Sequence, residues 1–158
     1  MSRDLVVLWA GRHHRSEWEK LCEPFKRRIS RHIRVREVAV RAKGTQGDLE
    51  RLKAEGEALL AAVPEGAWTV ALDRRGKMRS SLELAAWLQA RIDDWPGPLV
   101  FLIGSDLGLA AGALEPMRER LSFGPLTLPH ELARLVLLEQ LYRGLAIHAG
   151  IKYHREPL

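Results

Sequence analysis

The chain has little that would tie it to a membrane, a secretory route or a metal. Cys22 is its only cysteine, which excludes an intrachain disulfide framework and any zinc site built on several cysteines. Its apolar runs are short. Leu135 to Leu138 is typical, far below the roughly 20 residues that a bilayer requires. Met1-Ser2-Arg3-Asp4 leads into one brief apolar run and then Gly11-Arg12-His13-His14, which matches neither a secretory signal nor a transit peptide. No glycine-rich turn ends in Gly-Lys-Ser/Thr and none reads Gly-x-Gly-x-x-Gly, so both common nucleotide fingerprints are missing. No Ser–His–Asp or Cys–His arrangement offers a covalent nucleophile. Repeats, low-complexity tracts and linkers are missing too, and one cytoplasmic domain over residues 1–158 is expected.

What is present is an ordinary globular composition, 46% hydrophobic and 28% charged over 158 residues. At that length roughly 70% of the unfolded surface can be buried, enough for a core without staples. The charge is uneven. Residues 1–43 hold 12 basic and 5 acidic side chains, whereas residues 44–158 hold 13 and 15. A basic N-terminal third points to a polyanion, with nucleic acid the first candidate. The plainer alternative is a solvated amphipathic helix with arginine-rich ends.

Asp4 to Trp9 reads as a buried first strand, ended by Ala10-Gly11. Ser16 can cap a helix from about Glu17 to Ile29, with Trp18, Leu21, Cys22 and Phe25 on one stripe, which Pro24 should kink or divide. Ile33 to Val40 forms a second strand, and Gly44 to Gly47 a loop. A helix from Asp48 to about Ala62 is expected to bury Leu49, Leu52, Gly56, Leu59, Leu60 and Val63. Trp68 to Leu72 makes a third strand, closed by Asp73-Arg74-Arg75-Gly76-Lys77. Ser80 with Glu83 matches a capping box for a helix over Leu82 to Ile92. After the break at Pro96-Gly97-Pro98, Leu99 to Ile103 is apolar throughout, as in the middle of a parallel sheet. A short helix around Ala110 to Arg120 and a brief strand at Leu121-Ser122-Phe123 follow. From His130 to about Ala149 the chain is helical and apolar over much of its circumference. Such a helix is expected to pack on the sheet with one side and on a second subunit with the other. The alternation defines an α/β domain, a mostly parallel sheet flanked by helices.

Open parallel sheets bind ligands beyond the carboxyl ends of their strands. Two glycine-bearing turns stand there: Asp73-Arg74-Arg75-Gly76-Lys77 and Gly104-Ser105-Asp106-Leu107-Gly108. Their glycines either let the backbone approach a ligand or merely supply turns. The loop Phe123-Gly124-Pro125-Leu126-Thr127-Leu128-Pro129-His130 mixes apolar residues with two prolines. It is either tucked into the fold or wrapped round an apolar ligand, with backbone N–H and C=O groups left to read that ligand's polar edge. His13 and His14 read as an exposed basic turn, not a metal site. His130 opens the last helix, where an imidazole can cap or can act. The tail Tyr153-His154-Arg155-Glu156 is polar and compact, although most such tails are inert.

Six segments in order carry a resemblance: Leu72-Asp73-x-x-Gly76-Lys77, Ser80-Ser81-x-Glu83-Leu84-Ala85, Phe101-Leu102-Ile103-Gly104, Leu126-Thr127-Leu128-Pro129-His130, Glu139-Gln140-Leu141-Tyr142-Arg143 and Tyr153-His154-Arg155. Together they resemble the RlmH family, SPOUT-class methyltransferases that methylate N3 of a pseudouridine in 23S ribosomal RNA. The resemblance implies a SPOUT-type fold with a C-terminal trefoil knot, and a homodimer formed through the knotted region. It implies S-adenosylmethionine as methyl donor, without a metal, lying against Leu72, against Gly104 and along Phe123, Gly124, Pro125, Leu126, Thr127 and Leu128. The implied substrate is ribosomal RNA of the large subunit in the assembled ribosome. His154 is the residue to assist proton loss, with His130 second. Arg155 is to hold phosphate or developing charge, and Tyr153 to stack or position. Relatives usually continue Ile-Gly with Gly-Pro-Glu or Gly-Pro-Asp, where this chain has Ser105-Asp106, and many carry Gly-Lys where it has Gly11-Arg12. Two rivals stand beside this reading: a catalytically inactive knotted dimer that binds ribosomal RNA, and a related tRNA methyltransferase.

Overall fold

A computed structural model describes residues 3–11, 16–44 and 46–157 of the chain. Arg12, His13 and His14, and with them the expected basic turn, lie outside the described residues. Strands β1 (Asp4–Ala10), β2 (Arg34–Val40), β3 (Trp68–Met78), β4 (Leu99–Ile103) and β5 (Glu119–Ser122) alternate with helices α1 (Ser16–Ile29), α2 (Asp48–Ala62), α3 (Ser81–Asp94), α4 (Ala111–Leu114) and α5 (His130–His148). The sheet runs β2-β1-β4-β3-β5, and every neighbouring pair is parallel. β1 and β4 lie inside it and are buried along their whole length.

Alternate residues of a strand point to opposite faces, which sorts the core into two layers. Leu5, Val7 and Trp9 pack with Phe101 against residues of α1, α3 and α5, including Cys22, Leu88 and Leu141. Val6 and Leu8 pack with Val100 and Leu102 against Leu59 of α2. Helices therefore cover both faces, as a parallel sheet needs. Among the described residues, no helix is long and apolar enough to cross a membrane.

Four expectations change. α1 runs through Pro24 undivided. The carbonyl that proline leaves unpaired belongs to exposed Lys20, where water can take it. α5 lies between α1 and α3 above the sheet, so its apolar girth is largely absorbed within one copy. Leu137, Leu138 and Leu141 are fully buried there, and girth alone no longer calls for a second subunit. On α2, Leu49 is exposed and Glu55 is buried instead, because the Glu55 carboxylate accepts hydrogen bonds from Arg51 and Ser105. β3 does not close at Leu72. Leu121 pairs with both Leu72 and Lys77, so residues 73–76 bulge out and the strand resumes to Met78. Gly76 permits this, since a Cβ there would stand 2.6 Å from the Arg120 carbonyl carbon.

Candidate active site

The carboxyl ends of β3, β4 and β5 open onto a cavity of about 480 Å³. Its walls are the β3 bulge, the turn after β4, the loop after β5 and the first turn of α5. Of the residues expected to hold a cofactor, Leu72, Gly104, Phe123, Gly124, Leu126, Thr127 and Leu128 line it, and His130 does too. Pro125 belongs to the same loop but is not a wall residue. Sequence reading missed Ile103, Leu109, Leu114 and Leu121, which supply apolar wall together with Leu107 of the turn it singled out.

Each wall has an identifiable cause. The turn after β4 closes through a hydrogen bond from Gly108 N–H to the Ser105 carbonyl at 2.9 Å. A Cβ on Gly104 would sit 2.3 Å from the Gly108 carbonyl oxygen, so glycine is required for turn closure rather than for approach of a ligand. The loop after β5 is tied to the β3 bulge by Ser122. Its hydroxyl donates to the Arg74 carbonyl at 2.9 Å and accepts the Gly124 N–H at 3.0 Å. Residues 126–128 make no backbone hydrogen bond to another described residue. On the bulge, burial pushes the Asp73 carboxyl up, but hydrogen bonds from the Arg75 N–H and guanidinium outweigh it and hold the group below the usual carboxylate range.

A second cavity, about 690 Å³, adjoins the first and shares Ser105, Asp106 and His130 with it. It lies beyond the ends of β1 and β2, with Arg41, Lys43 and Arg51 among its walls. The imidazole of His130 stacks on Trp9, with ring centroids 5.8 Å apart and planes inclined by 22°. It therefore stands in the partition between the two cavities. Behind the shared turn, the Ser105 hydroxyl donates to buried Glu55 at 2.6 Å. Arg51 grips both carboxylate oxygens of Asp106 at 2.9 Å each.

The tail is elsewhere. Tyr153 donates its hydroxyl hydrogen to Glu139 at 3.0 Å, and Arg143 clasps the same carboxylate at 2.6 and 3.1 Å. One Arg143 nitrogen lies 3.0 Å from His154 Nδ1, and His154 Nε2 lies 2.8 Å from Glu156. Burial and the neighbouring Glu139 push the Tyr153 phenol up. Arg155 is exposed beside them. These contacts pin Tyr153 and His154 onto the far half of α5. Arg143 is 13 residues beyond His130 on that helix, about 20 Å at a rise of 1.5 Å per residue. The structure thus joins the cofactor residues with His130 and leaves Tyr153, His154 and Arg155 apart from them. Arg28 lies over the Tyr142 ring at 5.6 Å, and that ring meets Tyr153 of the tail with centroids 4.8 Å apart; Arg27 and Arg31, which flank Arg28 in the chain, are exposed.

A parallel sheet covered on both faces, with a cavity and a partitioned annex at its strand ends, defines an α/β protein with a small-molecule site where open sheets bind their ligands. A family model described as "Predicted SPOUT methyltransferase" matches residues 4–154. The chain belongs to the SPOUT methyltransferase family. It is 39% identical over 150 residues to the ribosomal RNA large subunit methyltransferase H of Gloeobacter violaceus, covering 95% of this chain and 97% of that protein. To the protein of that name from Rubrobacter xylanophilus it is 45% identical over 137 residues, 84% and 87% of the two chains. A solved structure of "a probable methylase family protein from Haemophilus influenzae Rd KW20" covers 98% of this chain and 71% of its own, at 12% identity and a TM-score of 0.51. That is a likeness of fold.

Proposed function

We propose that the chain is an S-adenosylmethionine-dependent methyltransferase acting on N3 of a pseudouridine in 23S ribosomal RNA. It works in the cytoplasm, as a homodimer with a C-terminal trefoil knot, on ribosomal RNA of the large subunit in the assembled ribosome. The observation that carries this reading is the cavity itself, built at the strand ends from Leu72, Gly104 and the 123–128 loop. Its volume is within the range of about 300–1,000 Å³ found for small-molecule sites. Its residues suit the donor. Leu72, Leu107, Leu109, Phe123 and Leu128 offer apolar surface to a purine and an aliphatic chain. The backbone groups of residues 126–128 are available to the edge of the base. Asp73, kept ionised, is an anionic group on the same wall.

S-adenosylmethionine supplies a methyl group already activated on a sulfonium. The chain's own work is then alignment and proton removal. The acceptor base approaches from the second cavity, across the partition of Ser105, Asp106 and His130. As the N–CH3 bond forms, the S–CH3 bond would break with its electron pair passing to sulfur, S-adenosylhomocysteine would be the leaving group, and the N3 imide proton would be lost. His154 takes it, and His130 is the alternative because it already stands in the partition. Arg155 holds a phosphate or the charge developing on the base carbonyls, and Tyr153 stacks or orients. Since a tail lies about 20 Å from the cavity of its own copy, the tail of one copy serves the cavity of the other.

Mass spectrometry of RNA from cells with and without this protein tests the reading. One pseudouridine of 23S RNA is expected to lose its methyl group when the protein is absent. A methyl group lost from tRNA instead would favour the tRNA enzyme. No methyl group lost, with no binding of S-adenosylmethionine in a titration, would favour the inactive dimer.

A further inference from the structure

The turn between Gly104 and Gly108 carries two polar side chains, and neither is left to solvent alone. Ser105 donates to Glu55 at 2.6 Å and accepts the Leu107 N–H at 3.2 Å. Asp106 receives two parallel hydrogen bonds from Arg51, both 2.9 Å. Arg51 also reaches Glu55 at 3.4 Å, which joins the two contacts into one network. Glu55 is 6% exposed, an unusual place for a carboxylate unless its partners are fixed. Hydrogen bonding by Arg51 holds the Asp106 carboxyl below its usual range, so the bidentate pair is fully charged at neutral pH.

Arg51 and Glu55 lie on α2, one turn apart, and line only the second cavity. The turn they hold is a wall of the first. We infer that Arg51 and Glu55 are positioning residues for the methyl donor: they set the turn from behind without touching the ligand in front of it. A fork of two hydrogen bonds fixes direction as well as distance, which a lysine ammonium at the same place cannot do. The inference rests on the proposed function, which places the donor against Gly104.

The test is a double-mutant cycle on Arg51 and Asp106, read as S-adenosylmethionine affinity by calorimetry on the full chain. Asp106 is 67% exposed on its side chain and Arg51 16%; Asp106→Asn keeps the shape of an exposed residue and Arg51→Met keeps most of the length of the aliphatic stem, so both are expected to fold. Each should weaken donor binding about tenfold, the size of coupling seen between directly paired residues. The double variant should be no weaker than Arg51→Met alone, because that change already removes both hydrogen bonds, whereas Asp106→Asn keeps one acceptor oxygen. Arg51→Lys should recover little of the affinity. In steady state the donor KM should rise more than kcat falls, while the melting temperature without ligand stays within a few degrees of the parent. If the parent binds the donor and the single variants bind it equally well, or if their effects simply add, the clamp does not position the turn. If the parent itself does not bind the donor, the proposed function fails and the inference falls with it.

Discussion

Gly104 shows how narrow the tolerance is at single positions. Its Cβ would meet the Gly108 carbonyl at 2.3 Å, so Gly104→Val must open the turn and with it one wall of the cavity proposed to hold the methyl donor. Calorimetry should find donor binding abolished, and the unliganded protein should also melt lower, because strain is created before any ligand arrives. Binding of parental strength would mean that the turn is not part of the site. Cys22 gives the opposite kind of test. It is fully buried, and burial pushes its thiol up to about 11, with Arg134 partly opposing. Only the thiolate reacts with disulfide reagents. Modification at pH 8 should therefore be very slow in the native protein and should track the unfolding rate as denaturant is added. Fast labelling without denaturant would contradict the burial. Its neighbour Arg134 is 1% exposed and paired with Glu37 and Glu19. No apolar pattern could announce that pairing, since it joins α5 to β2 and α1 across the chain.

At the scale of elements, the capping box at Ser80 and Glu83 is fully legible in the sequence. The Ser80 hydroxyl accepts the Glu83 N–H at 3.1 Å and the Glu83 carboxylate accepts the Ser80 N–H at 2.7 Å. Local hydrogen bonds of this kind are written in adjacent residues. β4 is legible for a different reason: apolar side chains on both faces need two covering layers. The length of β3 is not, because residues 73–76 leave the sheet and Lys77 and Met78, which pair again, leave their side chains exposed. The buried face of α2 differs from its apolar pattern at Leu49 and Glu55 because the deciding partner, the turn after β4, is distant in sequence. The donor loops could be named, but not the annex beyond them or the network behind the turn. α5 makes the energetic point. Leu138 is wholly enclosed between neighbouring elements of one copy. Leu138→Ala should cost about 2–5 kcal/mol of stability, read as a lower denaturation midpoint with the oligomeric state of the folded protein unchanged. Stable monomers at parental midpoint would instead place Leu138 on an interface.

For the whole molecule, cations stand both at the cavities and near the tail. Arg74 and Arg75 line the first cavity and Arg41 and Lys43 the second. A separate exposed group is Arg28, over the ring of Tyr142, with Arg27 and Arg31 flanking it in the chain. If they carry RNA phosphates, reversing all three should flatten the salt dependence of RNA binding. The logarithmic slope should change by about 0.7 to 0.9 for each phosphate no longer neutralised. Donor affinity should be unaffected. An unchanged slope would make these arginines a solvated face. In the proposed dimer, a cavity from one copy and a tail from the other form one catalytic site. The direct test mixes two inactive variants, Gly104→Val and His154→Ala, under conditions that exchange subunits, and follows methyl transfer to ribosomes that carry the unmethylated pseudouridine. In a symmetric dimer, random exchange leaves about one site in four with both parts intact. Activity should recover toward about a quarter of the parental level in the mixture, with almost none in either variant alone. Two inactive variants that stay inactive after proven exchange would contradict the shared site, as would a His154→Ala protein that is fully active by itself.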